Sequence, residues 1–207
     1  MPNKHRVIAY IDGFNLYYGL KSKSFRRYYW LNLELVVENL LKPNQELKLV
    51  KYFTARISIP REKQRRQSVY IEALETLAKL RIFFGKYFIK EITCNNCKTV
   101  NYIPNEKMTD VNLATEMLID AFQQNFDTAL LISADSDLVH TVRSIKDLFP
   151  NKEIVACFPP GRFSSSLHKL CFPKTFVIGR RTVAKSLLPE MVTKKDGTIL
   201  MRPAEWK

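Results

Sequence analysis

Short apolar runs alternate with segments of helical periodicity along most of the chain. Residues 7–11 form an apolar run that ends at Asp12-Gly13, which is typical of a buried strand with a sharp exit. The same patterns predict further strands at 47–56, 82–89, 128–133, 153–158 and 175–178, and helices at 32–41, 61–80, 110–122, 137–148 and 162–171. Strands that are wholly apolar and alternate with helices predict an α/β fold with a mainly parallel central sheet covered on both faces.

The character of the chain changes after Gly179. From residue 174 onward there are eight basic residues against three acidic ones, and Pro189 and Pro203 interrupt any regular pattern. Residues 194–197 (Lys-Lys-Asp-Gly) are a turn signal. We therefore predict a domain over 1–180 and a basic C-terminal extension over 181–207. The extension would be packed on the domain or partly mobile, and it could face the substrate.

Composition and charge indicate which class of partner the protein binds. The chain has 207 residues, 46% of them hydrophobic, which fits one substantial core and argues against disorder. It carries 33 basic and 20 acidic residues, a formal net charge of +13. Such an excess favours polyanionic partners, although a solvated basic face would also account for it. Residues 106–137 run against the trend, with seven acids and one base.

The sequence also argues against several classes of protein. No stretch approaches the ~18 consecutive apolar residues of a membrane span, and residues 1–6 lead directly into a strand-like segment rather than a secretory signal. Four cysteines do not make a disulfide framework in a chain of this length. We therefore expect a cytoplasmic protein that does not enter membranes.

Four aspartates stand where chemistry is expected in such a fold. Asp12 ends the first strand, Asp135 and Asp137 follow the strand 128–133, and Asp110 heads a helix. Loops beyond the carboxyl ends of parallel strands converge on one crevice. Two carboxylates ~4 Å apart repel by about 4 kcal/mol at an effective dielectric near 20, unless protons or a divalent cation compensate. Oxygen ligands suit Mg²⁺ or Mn²⁺, which can promote phosphodiester hydrolysis.

A structural role would also explain these residues. Asp12 could cap a turn before Gly13, while Asp110 and Asp137 could be helix N-caps.

Three segments resemble the signature blocks of the NYN family, the PIN-like nuclease domains of the LabA/DUF88 branch. They are residues 11–16 (Ile-Asp-Gly-Phe-Asn-Leu), 106–111 (Glu-Lys-Met-Thr-Asp-Val) and 133–138 (Ser-Ala-Asp-Ser-Asp-Leu). The helix at 111–118 matches too, and the resemblance spans about 6–180. It implies a PIN-like three-layer α/β/α sandwich and a ribonuclease that binds Mg²⁺ or Mn²⁺ through Asp12, Asp110, Asp135 and Asp137.

The resemblance also implies roles for neighbouring residues. Asn15 matches the family's asparagine and would orient Asp12 or hydrogen-bond a water on the cation. Ser133 would steady a carboxylate or a phosphate, and Lys107 would contact phosphate or be a surface lysine. Ala134 departs from the family's usual glycine, which would shift the loop without removing a ligand.

Basic segments and a cysteine pair complete the set of candidates. Residues 25–30 interleave aromatics with Arg26 and Arg27, and 61–66 contain Arg61, Arg65 and Arg66. Proteins bind single-stranded RNA through arginines that contact the RNA backbone and aromatic rings that stack on its bases. Cys94 and Cys97 have the spacing of half a zinc site, with no second pair in sequence, so Zn²⁺ bound by one chain is disfavoured.

We predict a metal-dependent endoribonuclease acting on RNA, and the arginines and aromatics above favour single strands as its substrate. The alternative is a non-catalytic RNA-binding or regulatory adaptor on the same fold. A phosphatase with an aspartyl nucleophile ranks last, because Phe14 stands where a second aspartate is usual. Assembly into a homodimer stays open.

Overall fold

A six-stranded parallel sheet forms the centre of the molecule in a computed structural model, which describes residues 4–93, 96–97 and 99–207. The strands are β1 (His5–Asp12), β2 (Gln45–Thr54), β3 (Leu80–Phe84), β4 (Lys86–Thr93), β5 (Val100–Lys107), β6 (Thr128–Ile132), β7 (Glu153–Phe158), β8 (Thr175–Val177), β9 (Met191–Thr193) and β10 (Ile199–Met201). The central sheet has the order β3-β2-β1-β6-β7-β8, and each neighbouring pair is parallel. The predicted α/β class is confirmed.

Helices cover both faces of this sheet, which makes a three-layer sandwich. One face carries α1 (Gly13–Ser22), α2 (Leu33–Glu38), α3 (Arg61–Leu74) and α7 (Arg180–Lys185), and the other carries α4 (Thr109–Phe122), α5 (Val139–Leu148) and α6 (Ser165–Cys171). Short 3-10 helices occur at Arg26–Tyr28, Ser136–Leu138 and Ala204–Trp206. Along β1, Val7 and Ala9 pack into one core layer while Ile8 and Tyr10 pack into the other. Burial on both faces explains why the central strands are wholly apolar.

The predicted strand at 82–89 is wrong as a single element. Gly85 divides it into β3, which belongs to the central sheet, and β4, which pairs with β5 in a separate antiparallel ribbon. A Cβ atom on Gly85 would lie 2.5 Å from the Thr109 hydroxyl oxygen, so the chain can pass α4 this closely only at glycine. The ribbon therefore begins and ends beside the start of α4.

Other boundaries also differ from the sequence pattern. The helix predicted over 61–80 ends at Leu74, the helix predicted over 32–41 covers only Leu33–Glu38, and the helix predicted over 162–171 begins at Ser165. Helix α1 was not expected, and Leu16 and Leu20 bury its inner face. None of the helices that the structure describes has both the length and the apolar character needed to cross a membrane.

The C-terminal extension packs on the side of the sandwich formed by α3. Strands β9 and β10 form a hairpin around the predicted turn. Trp206 is 8% exposed and lies against Trp30 with their ring centroids 6.2 Å apart. Glu205 pairs with Arg66 on α3 at 2.6 Å. The end of the chain thus contributes a small apolar cluster of its own.

Candidate metal centre

The crevice between β1 and β6 lies where the strand order of the sheet reverses, so that the chain leaves these two neighbouring strands toward opposite edges of the sheet. From β1 the sheet continues to β2 on one side, and from β6 it continues to β7 on the other. Asp12 is the last residue of β1, and Asp135 lies three residues beyond the end of β6. Such a divergence leaves an open crevice at the carboxyl ends of the strands, which is the usual ligand position in parallel sheets.

Three carboxylates from separate parts of the chain meet in this crevice. One oxygen atom from each of Asp12, Asp110 and Asp135 lies within 4.8 Å of the other two. Asp12 is only 4% exposed, whereas Asp110 and Asp135 are partly open to solvent. These three residues, here called the acidic triad, form a ligand set with one open side.

Hydrogen bonds hold the buried member of the triad in place. The backbone N–H of Asn15 donates to Oδ1 of Asp12 at 2.9 Å, so Asp12 is also the N-cap of α1. The hydroxyl of Ser133 donates to Oδ2 of Asp12 at 3.0 Å and accepts from the backbone N–H of Asp135 at 3.0 Å. The side-chain oxygen of Asn15 accepts from the backbone N–H of Ala134 at 3.2 Å. Ser133 and Asn15 therefore link Asp12 to Asp135 and its loop through hydrogen bonds.

Asp110 is positioned by the junction between the ribbon and α4. It lies in the first turn of α4, and Met108 before it has the left-handed backbone angle φ = 76°, which is rare for a residue other than glycine. The Glu106 carboxylate accepts hydrogen bonds from the backbone N–H of Thr109, at 3.0 Å, and from the Thr109 hydroxyl. Sequence reasoning missed Glu106 as a site residue, although it is an acid four residues before Asp110.

Asp137 lies beside the triad and outside it. Its side chain is exposed, and its backbone N–H donates to Oδ1 of Asp135 at 3.0 Å. Asp135 caps the 3-10 helix Ser136–Leu138 and Leu138 is the N-cap position of α5, so the alternative of Asp137 as a helix N-cap is wrong. Its charge still contributes to raising the pKa of Asp110.

The electrostatics of the triad favour a bound cation. Burial raises the pKa of Asp12 to about 6, against the hydrogen bonds from Asn15 and Ser133. Burial, followed by the charges of Asp12 and Asp135, raises the pKa of Asp110 to about 7. A divalent cation between these oxygens would offset both the desolvation and the repulsion. An oxygen ligand set of this kind fits a hard divalent ion.

The other predicted residues occupy three different surfaces. Lys107 is exposed at the end of β5, directly opposite Lys86 in the ribbon register. Arg26 and Arg27 lie on the short helix after α1, with the guanidinium carbon of Arg27 5.1 Å from the centre of the Tyr28 ring. Of the predicted zinc pair, Cys97 is exposed in the connection between β4 and β5, and Cys94 lies outside the described residues.

The arginines of α3 differ from one another in exposure. Arg61 and Arg65 are exposed near the start of the helix, and the side chain of Arg66 is 18% exposed because Glu205 pairs with it. Arg61 and Arg65 are thus open to a partner, while Arg66 is already held by the C-terminal extension.

Two acids of α4 that sequence reasoning left out of the site belong to a different network. The Lys51 ammonium on β2 lies 2.6 Å from a carboxylate oxygen of Glu116 and 2.6 Å from one of Asp120. The Tyr10 hydroxyl donates to the same Asp120 oxygen at 2.6 Å. Here an internal lysine, rather than a cation from solution, neutralises the acids.

Comparison with known proteins identifies the family. The family model described as the NYN domain matches residues 6–176. The chain belongs to the NYN domain family. The predicted resemblance is confirmed, and the six-stranded parallel sheet of this NYN domain fits a PIN-like sandwich. NYN domains form a PIN-like nuclease family, so the triad lies in a fold that generally serves nucleases.

Two similar proteins extend the comparison. The NYN domain is 25% identical to 6-hydroxy-3-succinoylpyridine 3-monooxygenase from Pseudomonas putida over an alignment 239 positions long, which covers 97% of this chain and 75% of the relative. It is also similar to the crystal structure of a protein of unknown function from Vibrio parahaemolyticus, with a TM-score of 0.57 and 17% identity over 91% of this chain and 99% of that chain. The second likeness concerns the fold alone.

The raised pKa values make the stability of the metal-free NYN domain depend on pH. A carboxyl whose pKa is higher in the folded state stabilises the fold below its unfolded pKa, near 4, and loses that contribution as pH rises through the folded value. For Asp12, with a folded pKa of about 6, we expect a loss on the order of 2 kcal/mol between pH 4 and pH 8. Between pH 4 and pH 8 in EDTA, the melting temperature of the wild type should therefore fall by roughly 5 °C more than that of Asp12→Asn.

Mn²⁺ should reverse this loss. At a concentration a hundred times its dissociation constant, a cation that binds only the folded state adds about 2.7 kcal/mol. The rise in melting temperature should be larger at pH 8 than at pH 5, since protons compete for the same oxygens. Asp147→Asn, at an exposed position on α5, is the matched control and should respond as the wild type does. An equal rise in Asp12→Asn would contradict metal binding at the triad.

Proposed function

We propose that this NYN domain is an endoribonuclease that hydrolyses RNA phosphodiester bonds with Mg²⁺ or Mn²⁺ at the acidic triad. The observation that carries the proposal is the convergence of Asp12, Asp110 and Asp135, with oxygens within 4.8 Å of one another. Burial and mutual repulsion make this arrangement costly for an unliganded protein at neutral pH.

Each acidic residue has a distinct proposed part. Asp12 and Asp135 hold the cation, and Asp110 completes the ligand set from the start of α4. Asp137 stands next to the triad, and its exposed carboxylate is proposed to orient the attacking water and accept its proton. When bound, the cation would stabilise the negative charge that develops on the phosphodiester oxygens.

The surroundings of the triad support a polyanionic substrate. The chain carries a net charge of +13. Lys86 and Lys107 face each other across the base of the ribbon, next to α4. Like charges opposite each other in a ribbon are unfavourable, and a phosphate group near both would relieve that repulsion.

The test is cleavage of a labelled single-stranded RNA with Mn²⁺, with Mg²⁺ and with EDTA. We expect products with either metal and none with EDTA. Tight binding without cleavage under all three conditions would instead support the non-catalytic adaptor.

The monooxygenase relative suggests a second chemistry, and the ligand set argues against one form of it, that of the mononuclear non-haem iron oxygenases. Mononuclear non-haem iron oxygenases commonly use two histidines and one carboxylate. The triad consists of three aspartates. An all-carboxylate site of this kind favours a hard cation and hydrolysis.

Charge reversal on α3 tests the nucleic-acid interface. We expect Arg61→Glu and Arg65→Glu, combined, to weaken RNA binding and to reduce the slope of log affinity against log salt by about one for each phosphate that the protein no longer neutralises. Fluorescence anisotropy at several salt concentrations measures both. Lys169→Glu, at an exposed position on α6 in the opposite layer, is the control. An unchanged slope in the double variant would place the interface elsewhere.

A further inference from the structure

An exposed aromatic stripe runs along α1 away from the acidic triad. Phe14 and Tyr18 are four residues apart on one side of the helix, and their rings are stacked with centroids 6.4 Å apart. Tyr18 is 45% exposed, and the Lys21 ammonium lies 5.9 Å from the centre of its ring. Because Asp12 is the N-cap of α1, this stripe begins two residues after a triad residue.

The base of the ribbon supplies a second ring on the other side of the triad. Tyr87 on β4 is paired directly with Glu106 on β5, the residue whose carboxylate holds Thr109 beside Asp110. Partial burial raises the pKa of Tyr87, and the charge of Tyr18 raises it further. Helix α1 directly follows Asp12, and the ribbon adjoins the start of α4, which carries Asp110, so both elements flank the triad.

The chemistry of these rings fits an unpaired base. A base in a duplex is already stacked on both sides, whereas an unpaired base can be splayed out and stacked on an aromatic side chain. Tyr18 lies six residues along α1 from Asp12, which is about 9 Å at the helical rise. Along the helix axis, Tyr18 is therefore less than two turns from the triad. The Lys21 ammonium beside the ring adds charge complementary to the backbone.

We infer that Tyr18 and Tyr87 are positioning residues that stack on an unpaired RNA base next to the bond to be cleaved, which makes them determinants of single-strand specificity. The inference rests on the proposed nuclease function for the identity of the substrate. The neighbouring Tyr17 packs between Tyr29 and Tyr18, with its ring centroid 5.1 Å from that of Tyr29 and 5.3 Å from that of Tyr18, so it supports the Tyr18 ring.

Binding measured without cleavage tests the inference directly. A short fluorescein-labelled single-stranded RNA is titrated with protein in EDTA. We expect Tyr18→Ala and Tyr87→Ala each to weaken binding by about five- to hundredfold, the range for loss of one base–aromatic stack. Tyr18→Phe, which keeps the ring, should bind as the wild type does. Phe172→Ala removes a ring that is 68% exposed beyond α6, away from the triad, and should have no effect.

An abasic scan shows whether a base is the partner. In the wild type, an abasic nucleotide should weaken binding at one position of the RNA, and at that position Tyr18→Ala should add little further loss. Fully additive losses, or wild-type affinity in both alanine variants, would overturn the inference. Equal affinity of the wild type for a duplex of the same sequence would also overturn it.

The outcomes separate this inference from the nuclease proposal. Metal-dependent cleavage by the wild type with unchanged binding and cleavage in Tyr18→Ala and Tyr87→Ala would overturn the stacking role alone. Tyrosine-dependent binding of single-stranded RNA without cleavage in any metal would overturn the nuclease proposal and support the stacking role.

Discussion

Asp12→Asn and Asp135→Asn should each reduce metal-dependent RNA cleavage by a factor on the order of a thousand or more, while the protein stays folded. Each change removes one negative ligand from a set whose oxygens lie within 4.8 Å of one another. The amide keeps the size of the side chain. In Asp12→Asn its oxygen can still accept the hydrogen bond from the backbone N–H of Asn15. The reduction should therefore come from the cation rather than from the fold.

Single-turnover cleavage of labelled RNA, with melting temperatures of the same preparations, measures both parts of this prediction. Because burial raises the pKa of Asp12 to about 6, its neutral variant should be at least as stable as the wild type in EDTA at pH 8. Asp147→Asn is again the control and should cleave normally. Undiminished cleavage by both purified variants would reject the assignment of the metal site.

The second large effect is expected from Lys51→Met, which should lower the free energy of unfolding by about 3–5 kcal/mol. The Lys51 side chain is 6% exposed, and its ammonium contacts Glu116 and Asp120 at 2.6 Å each. Without it, two carboxylates are left near each other. The Asp120 side chain is 4% exposed, and among the described residues its remaining donors, Tyr10 and Asn125, are neutral. A fall in melting temperature of roughly 10 °C is the expected result.

Lys48→Met is the matched control on the same strand. Lys48 pairs with Glu46 at 2.9 Å, and both side chains are more than 40% exposed. An exposed pair contributes at most about 1 kcal/mol, so this variant should melt close to the wild type. Equal effects of the two substitutions would show that Lys51 is not an internal counter-ion.

The hydrophobic pattern predicted some strands and helices and missed others, for physical reasons. Strand β7 was predicted with its observed bounds because burial on both faces requires a continuous apolar run. Helix α1 was missed because Gly13 and Gly19 are poor helix formers and its outer face is aromatic. The helix is set by packing: a Cβ atom on Gly13 would lie 2.7 Å from the carbonyl oxygen of Phe53 on β2.

The break at Gly85 is likewise set by a close contact in the folded protein rather than by the local sequence. The apolar pattern continues through it, and the change from central sheet to ribbon depends on the close approach to Thr109, far along the chain. That change pairs Tyr87 with Glu106 beside the start of α4, where Asp110 lies.

The order of apolar runs and the three family blocks were enough, without coordinates, to establish the α/β class, the family and the acidic residues at strand ends. These features depend on alternation and spacing over a few residues. Which acids share a cation and which share a lysine depended on the folded chain. Asp110 and Asp120 lie on one helix, yet one faces Asp12 and Asp135 while the other faces Lys51. The two residues are ten positions apart, which is about 15 Å along the helix axis, so α4 holds Asp110 at the carboxyl ends of the strands and Asp120 far from that edge.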